Sequence, residues 1–464
     1  MVASAPASES GFHIFRGRPD SRVNWRPRSC RPDHAVDRDA PTAMPLDARR
    51  ISQRCDILAG FSEHPDHLAR VFMSPEQRDA TAMVAAWMRE AGMHARIDAI
   101  GNVIGRYEGE REGLPCLMLG SHLDTVRDAG RYDGMLGVVA AIECVADFAA
   151  RQRRLPCAIE VIGFSDEEGV RFSSTLLGSR AVTGRFDARV LDLVDASGVA
   201  MRDALAAAGF DAGRIGDAAR RPEEVLAYVE LHIEQGPVLE AEQLAVGVVT
   251  AINGGNRFWV ELTGMAGHAG TVPMRLRQDA LAAAAECVLA VERIASSMPD
   301  VVGTVGRIDA RPGAMNVIPG SVRFSLDARA PTDALRQEAV AALKEALAAI
   351  AARRACALTI DPIWEGRTAL CDPALQEQIA AAMRAEGQRD FRLPSGAGHD
   401  GMAMIDLAPI GMLFLRCTGG ISHHPAEAVT LADLDVGARV LLRFIEHFSV
   451  PTARPDPMVT ETRR

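Results

Sequence analysis

The feature that most constrains the fold is the run Leu117-Met118-Leu119-Gly120-Ser121-His122-Leu123-Asp124, with a helix-like stretch at 135–148 and a second apolar strand at 158–164 behind it. A strand, helix, strand order of this kind is a βαβ unit, whose strands lie parallel and whose crossover is right-handed. In open α/β sheets, ligands bind beyond the carboxyl ends of such strands. His122 and Asp124 stand two residues apart at that end, so an extended backbone puts both side chains on one face. Asp133 follows on the loop beside Gly134, whose missing side chain lets the backbone approach a bound group. A histidine, an aspartate able to orient it and a loop aspartate are the parts of a metal site.

Along the chain, helical spacing recurs at 46–60 and 75–92, with Ser74 as N-cap, Pro75 at the first helical position and Gly92 where a helix would stop. Short strands are expected at 94–98, 103–107 and 116–120. An Ala-rich helical pattern at 203–226 precedes a strand at 227–233 that contains His232. Past 249 the character changes: an alternating strand at 258–262, a helix at 278–295, strands at 301–308 and 322–327, and a helix at 334–351 form a compact α+β unit. Signals that fit the first layer resume after Trp364. A chain of 464 residues exceeds one ordinary core. The expected fold is therefore α/β: a catalytic domain at 44–249 and 364–464 with a mixed, mostly parallel sheet flanked by helices, interrupted by an α+β domain at 250–363.

Residues 1–43 are Pro- and Arg-rich without hydrophobic periodicity and read as disordered. Met44 offers an alternative start, which would make the preceding stretch a non-native extension. The balance of 51 basic against 61 acidic residues, −10 overall, argues against nucleic acid or an anionic membrane as partner. No apolar run is long enough to cross a bilayer. Nine scattered cysteines without a CxxC pair suggest a reduced, cytoplasmic chain and exclude a thiolate zinc site.

Further chemistry-bearing residues cluster at other strand ends. Asp166-Glu167-Glu168 directly follows the strand at 158–164, and three adjacent carboxylates repel one another unless a cation or a shared proton relieves them. His232 ends its strand before Gln235-Gly236-Pro237. His423 and His424 follow an apolar strand at 410–415, and only one of two neighbours readily points into one site. His268 lies among small residues of the inserted unit, and Gly398-His399-Asp400 forms another strand-to-helix junction. Singly, each is an ordinary acidic loop or core histidine; jointly they are a site.

These motifs resemble, over residues 46–447 and in the same order, the di-metal amidohydrolases of the M20 peptidase clan, in its allantoate amidohydrolase and N-carbamoyl-L-amino acid hydrolase branch. The resemblance implies two divalent metal ions, Zn or Mn with Co or Ni as alternatives. It implies His122, Asp133, Glu168, His232 and His423 as metal ligands, with Asp133 bridging. Glu167 becomes the general base that takes a proton from water and returns it to the leaving nitrogen, and Asp124 the aspartate behind His122. The motif His232-Ile233-Glu234-Gln235-Gly236-Pro237 points to the ureido-cleaving branch. Gln235, Asn316, Arg329, Gly398 and His399 match substrate contacts, and an arginine fork suits a carboxylate. His268 resembles a lid histidine that reaches the neighbouring subunit's substrate, which makes the inserted domain a lid and the seat of a homodimer.

The wording around 126–134 and 164–172 is closer to allantoate amidohydrolases, although Ser173 stands where relatives often place a glycine. The expected reaction is hydrolysis of the ureido C–N bond of allantoate to ureidoglycine, ammonia and carbon dioxide, in purine and allantoin degradation. An N-carbamoyl-L-amino acid hydrolase is the alternative, and a non-catalytic binding member of the fold a further one.

Overall fold

The computed structural model describes residues 46–451. The expectation for residues 1–43 lies outside that range. Helix Ala48–Ala59 begins at Asp47, whose carboxylate accepts the Arg49 N–H, and helix Pro75–Glu90 begins at Ser74, whose hydroxyl accepts the Gln77 N–H. Six strands follow: β1 His94–Ile97, β2 Val103–Tyr107, β3 Cys116–His122, β4 Ala158–Phe164, β5 Val225–Ile233 and β6 Val246–Ile252. The chain then runs through β7 Gly254–Thr263, β8 Gly267–His268, β9 Val302–Thr304, β10 Ile308–Arg311, β11 Val317–Ile318, β12 Ser321–Ala330 and β13 Ala357–Gly366. It returns through β14 Ala369–Leu370, β15 Arg392–Ser395 and β16 Ile410–Leu415.

The large sheet is 9-stranded and mixed, in the order β1-β2-β4-β3-β5-β16-β6-β14, with β15 also paired to β6. Its central strands β4, β3, β5 and β16 are all parallel, and antiparallel pairs close both flanks. β3 and β4 are buried at every position, as continuous apolar strands covered on both faces must be. One face is covered by helices Ala48–Ala59, Pro75–Glu90, Met135–Ala150, Pro373–Ala385 and Leu431–Glu446. The other holds Phe164, Tyr228 and Phe414, and each such large side chain taken out of water contributes about 1.5–3 kcal/mol.

The second sheet is 5-stranded and antiparallel, β10-β12-β7-β13 with β9 on β12. Phe258, Val260 and Leu262 of β7 and Val322, Phe324 and Leu326 of β12 alternate inward against helices Ala280–Ser296 and Asp333–Arg353. The two crossings between the sheets run side by side. Gly255 at the start of β7 pairs with Gly366 at the end of β13, and the Thr368 hydroxyl accepts the Gly254 N–H at 3.1 Å.

Two local expectations need correction. Residues 203–226 do not form one helix: helix Met201–Ala207 ends before Gly209, which adopts φ 86°, and 3₁₀ turns Ala212–Ala218 and Pro222–Glu224 replace the rest. Glycine and proline override the alanine propensity there. The strand expected at 301–308 is split into β9 and β10, which pair with different parts of β12.

Candidate metal centre

The parallel centre of the large sheet delivers four groups to one edge. His122 is the last residue of β3, Glu167 and Glu168 lie just past β4, His232 is next to last in β5, and His423 sits in the loop beyond β16. Asp133 comes from the loop that opens helix Met135–Ala150. Gly134 caps that helix at φ 70°, and a Cβ there would run into the His122 ring. The chain needs glycine at this point for both reasons.

Asp133 divides its two oxygens between different partners. Its Oδ1 faces His232 Nε2 at 3.1 Å and His122 Nε2 at 3.5 Å. Its Oδ2 faces His423 Nε2 at 3.1 Å and accepts a hydrogen bond from Gln235 Nε2, also at 3.1 Å. Glu168 Oε1 lies 3.3 Å from His423 Nε2. Potential ligand atoms of His122, Asp133 and His232 lie within 4.8 Å of one another, as do those of Asp133, Glu168 and His423. Two donor sets of nitrogen and oxygen, sharing one carboxylate and containing no thiolate, fit two divalent ions of the zinc or manganese kind.

The electrostatics of the cluster run the same way. Burial works against a charged imidazole at His122, but Asp124 and Asp133 outweigh it and hold its pKa well above the usual value. His232 is likewise raised, with Asp133 overcoming burial. Asp133 and Glu168 push His423 up to about 10. Burial would raise Asp133, yet the three histidines hold it well below the usual carboxylate range. The cluster gathers positive charge around Asp133, and a bound cation would supply that charge in place of the ring protons.

Asp124 organises the adjoining turn. Its Oδ1 accepts the Glu167 N–H at 2.9 Å and its Oδ2 the Glu168 N–H at 3.1 Å, while its backbone oxygen lies 3.0 Å from His122 Nδ1. One aspartate thus aligns a histidine and two glutamates. Burial, with Glu168, Asp400 and Asp124 adding to it against the pull of His122, pushes the Glu167 carboxyl well above its ordinary value. A carboxylate with that bias, beside the donor sets and grouped with His122 and Glu168, is a stronger proton acceptor than an exposed one.

The cavity over this cluster is about 1030 Å³ and is lined by His122, Asp133, Glu167, Glu168, His232, Gln235, Arg329, Gly398 and His423 among others. Arg329 on β12 forks onto Asp327 and donates to the Gly396 carbonyl at 2.8 Å, so it joins the second sheet to the loop holding Gly398. Ser173 also lines the cavity, in the left-handed region at φ 55°. Gln235 and His423, at φ 57° and 54°, share that strained conformation, which costs on the order of 1–3 kcal/mol and concentrates at functional sites.

Three of the expected residues do not line this cavity. His399 is buried behind His232, with ring centroids 4.4 Å apart and its Nε2 2.8 Å from the Ser395 hydroxyl. Burial and the neighbouring His232 hold its pKa well below the ordinary value. His268 is exposed on β8 and pairs with Val317 of β11, and the Asn316 carbonyl accepts the Ala269 N–H at 2.9 Å. His268 and Asn316 therefore sit together on a small ribbon, and neither lines the cavity of its own chain. His424 turns away, its Nδ1 accepting the Ala426 N–H at 3.0 Å.

Sequence reasoning passed over Glu427, Arg70 and Asn253. Arg70 is fully buried: it donates to the carbonyls of Leu123 and Leu58, and burial lowers its pKa to about 10 against the pull of Asp124. A lone arginine within Leu68-Ala69-Arg70-Val71-Phe72 was the available signal. Asn253 marks the crossing from β6 to β7 and lines the cavity; nothing in its sequence context singles it out. The eight described cysteines, from Cys55 to Cys417, are buried and unpaired. No described helix is long and apolar enough to cross a membrane.

Residues 118–447 match the model of peptidase family M20/M25/M40. The chain is 41% identical to an N-carbamoyl-L-amino acid amidohydrolase of Geobacillus stearothermophilus, over 85% of this chain and 97% of that relative. It is 39% identical to a probable allantoate deiminase of Oryza sativa subsp. japonica, over 86% and 88% of the two chains. Among solved structures, an amidase of the hydantoinase/carbamoylase family from Burkholderia multivorans superposes with a TM-score of 0.81 at 32% identity, covering 86% of this chain and 97% of that one.

Proposed function

Since this chain belongs to the peptidase family M20/M25/M40 and is an amidohydrolase, we propose that it hydrolyses the ureido C–N bond of allantoate, yielding ureidoglycine, ammonia and carbon dioxide. The observation that carries the two-ion chemistry is the division of the Asp133 oxygens between His122 with His232 and Glu168 with His423. Two divalent ions, when bound there, would supply Lewis-acid polarisation of the substrate carbonyl and a more acidic attacking water. His122, Asp133, His232, Glu168 and His423 would hold the ions. Asp124 fixes the backbone of Glu167 and Glu168.

Glu167 takes the proton of the attacking water at its carboxylate and returns it to the leaving nitrogen, which departs neutral. Arg329, already anchored on Asp327 and the Gly396 carbonyl, turns its remaining N–H groups to the substrate carboxylate. Gln235 and Gly398 border the same space. The second sheet, taken as a lid over residues 250–363, brings Arg329 to the site. His268 and Asn316, outside their own cavity, serve a partner subunit's site in a homodimer.

The 41% identity to a carbamoyl-amino acid amidohydrolase favours a second reading, an N-carbamoyl-L-amino acid as substrate on the same residues. Ammonia release by the metal-loaded chain, measured side by side on allantoate and on several N-carbamoyl-L-amino acids, separates the two. A higher kcat/KM on allantoate supports the first reading. Turnover of the carbamoyl-amino acids alone replaces it with the second.

A further inference from the structure

Glu427 contributes no ligand atom to either donor set, yet it is buried and joins the loops that carry Asp133 and His423. Its Oε1 accepts the backbone N–H of Tyr132 at 3.0 Å and of Asp133 at 3.1 Å. Its Oε2 accepts the Ser422 hydroxyl at 2.9 Å. Ser422 Oγ in turn accepts from Gln235 Nε2 at 3.3 Å, and the same Nε2 donates to Asp133 Oδ2 at 3.1 Å. The contacts close a ring: Asp133 N–H, Glu427, Ser422, Gln235, Asp133 carboxylate. His423 is the residue after Ser422. At the other end Gly130 lies so close that a Cβ there would overlap the Glu427 side chain, so the loop carrying Asp133 is packed directly on this carboxylate.

We propose that Glu427 is a positioning residue that holds the Asp133 carboxylate and the His423 imidazole in register, so that both face one ion. It touches neither the substrate nor the ion and acts through Asp133, Ser422 and the His423 loop. The assignment rests on the two-ion reading above. A glutamate that only stabilised the fold would lower the melting temperature without distinguishing between the two ions. A positioning glutamate weakens the ion held by Asp133, Glu168 and His423 and leaves the His122 and His232 side less affected.

The test uses the full chain as wild type, Glu427→Ala, Glu427→Gln and Ser422→Ala. Bound Zn²⁺ per chain is measured against a graded chelator, alongside thermal denaturation, kcat and KM. Wild type is expected to hold two ions. Glu427→Ala should weaken one of them about 10–100-fold, the range for losing a group that orients a ligand, and lower kcat more than it raises KM. Glu427→Gln keeps an oxygen for the two N–H donors, and the Ser422 hydroxyl can turn to accept from its amide. That variant should recover to within several-fold of wild type. Ser422→Ala, which removes the Oε2 contact and the hydroxyl that accepts from Gln235 Nε2 but keeps the two Glu427 contacts to the Asp133 loop, should fall between them and decides the matter should Glu427→Ala not fold. Unchanged affinities in Glu427→Ala or Ser422→Ala, or equal weakening of both ions, overturn the assignment. A wild-type chain holding a single ion overturns the two-ion reading together with it.

Discussion

His423 Nε2 stands 3.1 Å from Asp133 Oδ2, while its neighbour His424 spends its Nδ1 on the Ala426 N–H of its own turn. Left-handed backbone at His423, φ 54°, swings that one ring into the site. His423→Ala is therefore expected to lose one ion and lower kcat at least about 100-fold, whereas His424→Ala changes either by less than about threefold. Metal analysis and ammonia release on both variants check this. Equal losses would remove the distinction between the two histidines.

Glu167 carries the proton transfer in this account without supplying a metal ligand. Glu167→Gln is expected to lower kcat by about 10²–10⁴-fold while the metal content and KM stay near wild type. The Asp124 contacts to the Glu167 backbone do not depend on that side chain. A Gln variant with undiminished turnover would remove Glu167 from the mechanism.

Metal uptake should release protons. Asp133 and Glu168 raise His423 to about 10, and Asp124 and Asp133 raise His122 despite burial. Below those values the rings are protonated when no ion is bound, and a ring must lose its proton to ligate. Affinity therefore falls as pH falls and rises toward the raised histidine values. Calorimetric metal titration at pH 7 in two buffers of different ionisation enthalpy should report more than about one proton released per chain. No release would contradict the assignment of these histidines.

Arg329→Ala should raise KM for carboxylate substrates about 10–100-fold, the equivalent of one charge-assisted hydrogen-bond pair, with kcat less affected. The Asp327 carboxylate remains paired with Arg257 at 2.8 Å, so the fold should survive. An unchanged KM would place Arg329 outside the substrate's reach.

Much of this architecture could be read from the chain because it rests on local patterns. Continuous apolar strands at Cys116–His122 and Ala158–Phe164 announce a buried parallel sheet, and residues just past such strands must gather at one edge. The alternation in Gly254–Thr263 and Ser321–Ala330 marks a one-sided sheet in the same way. The misses have physical causes. The Ala-rich stretch after Met201 has the propensity of a helix, but its glycines and Pro222 break it into a short helix and 3₁₀ turns. Glu427 lies four residues past His423, but its partners are backbone N–H groups of a loop far away in sequence, and no spacing encodes such a contact.

The central claim is that Asp133 bridges two ions, and anomalous diffraction from metal-loaded crystals tests it most directly. The account predicts two peaks about 3.5–4 Å apart, one beside His122 and His232 and the other beside Glu168 and His423, with one Asp133 oxygen on each. A single peak at full loading, or a second peak away from Glu168 and His423, would contradict it.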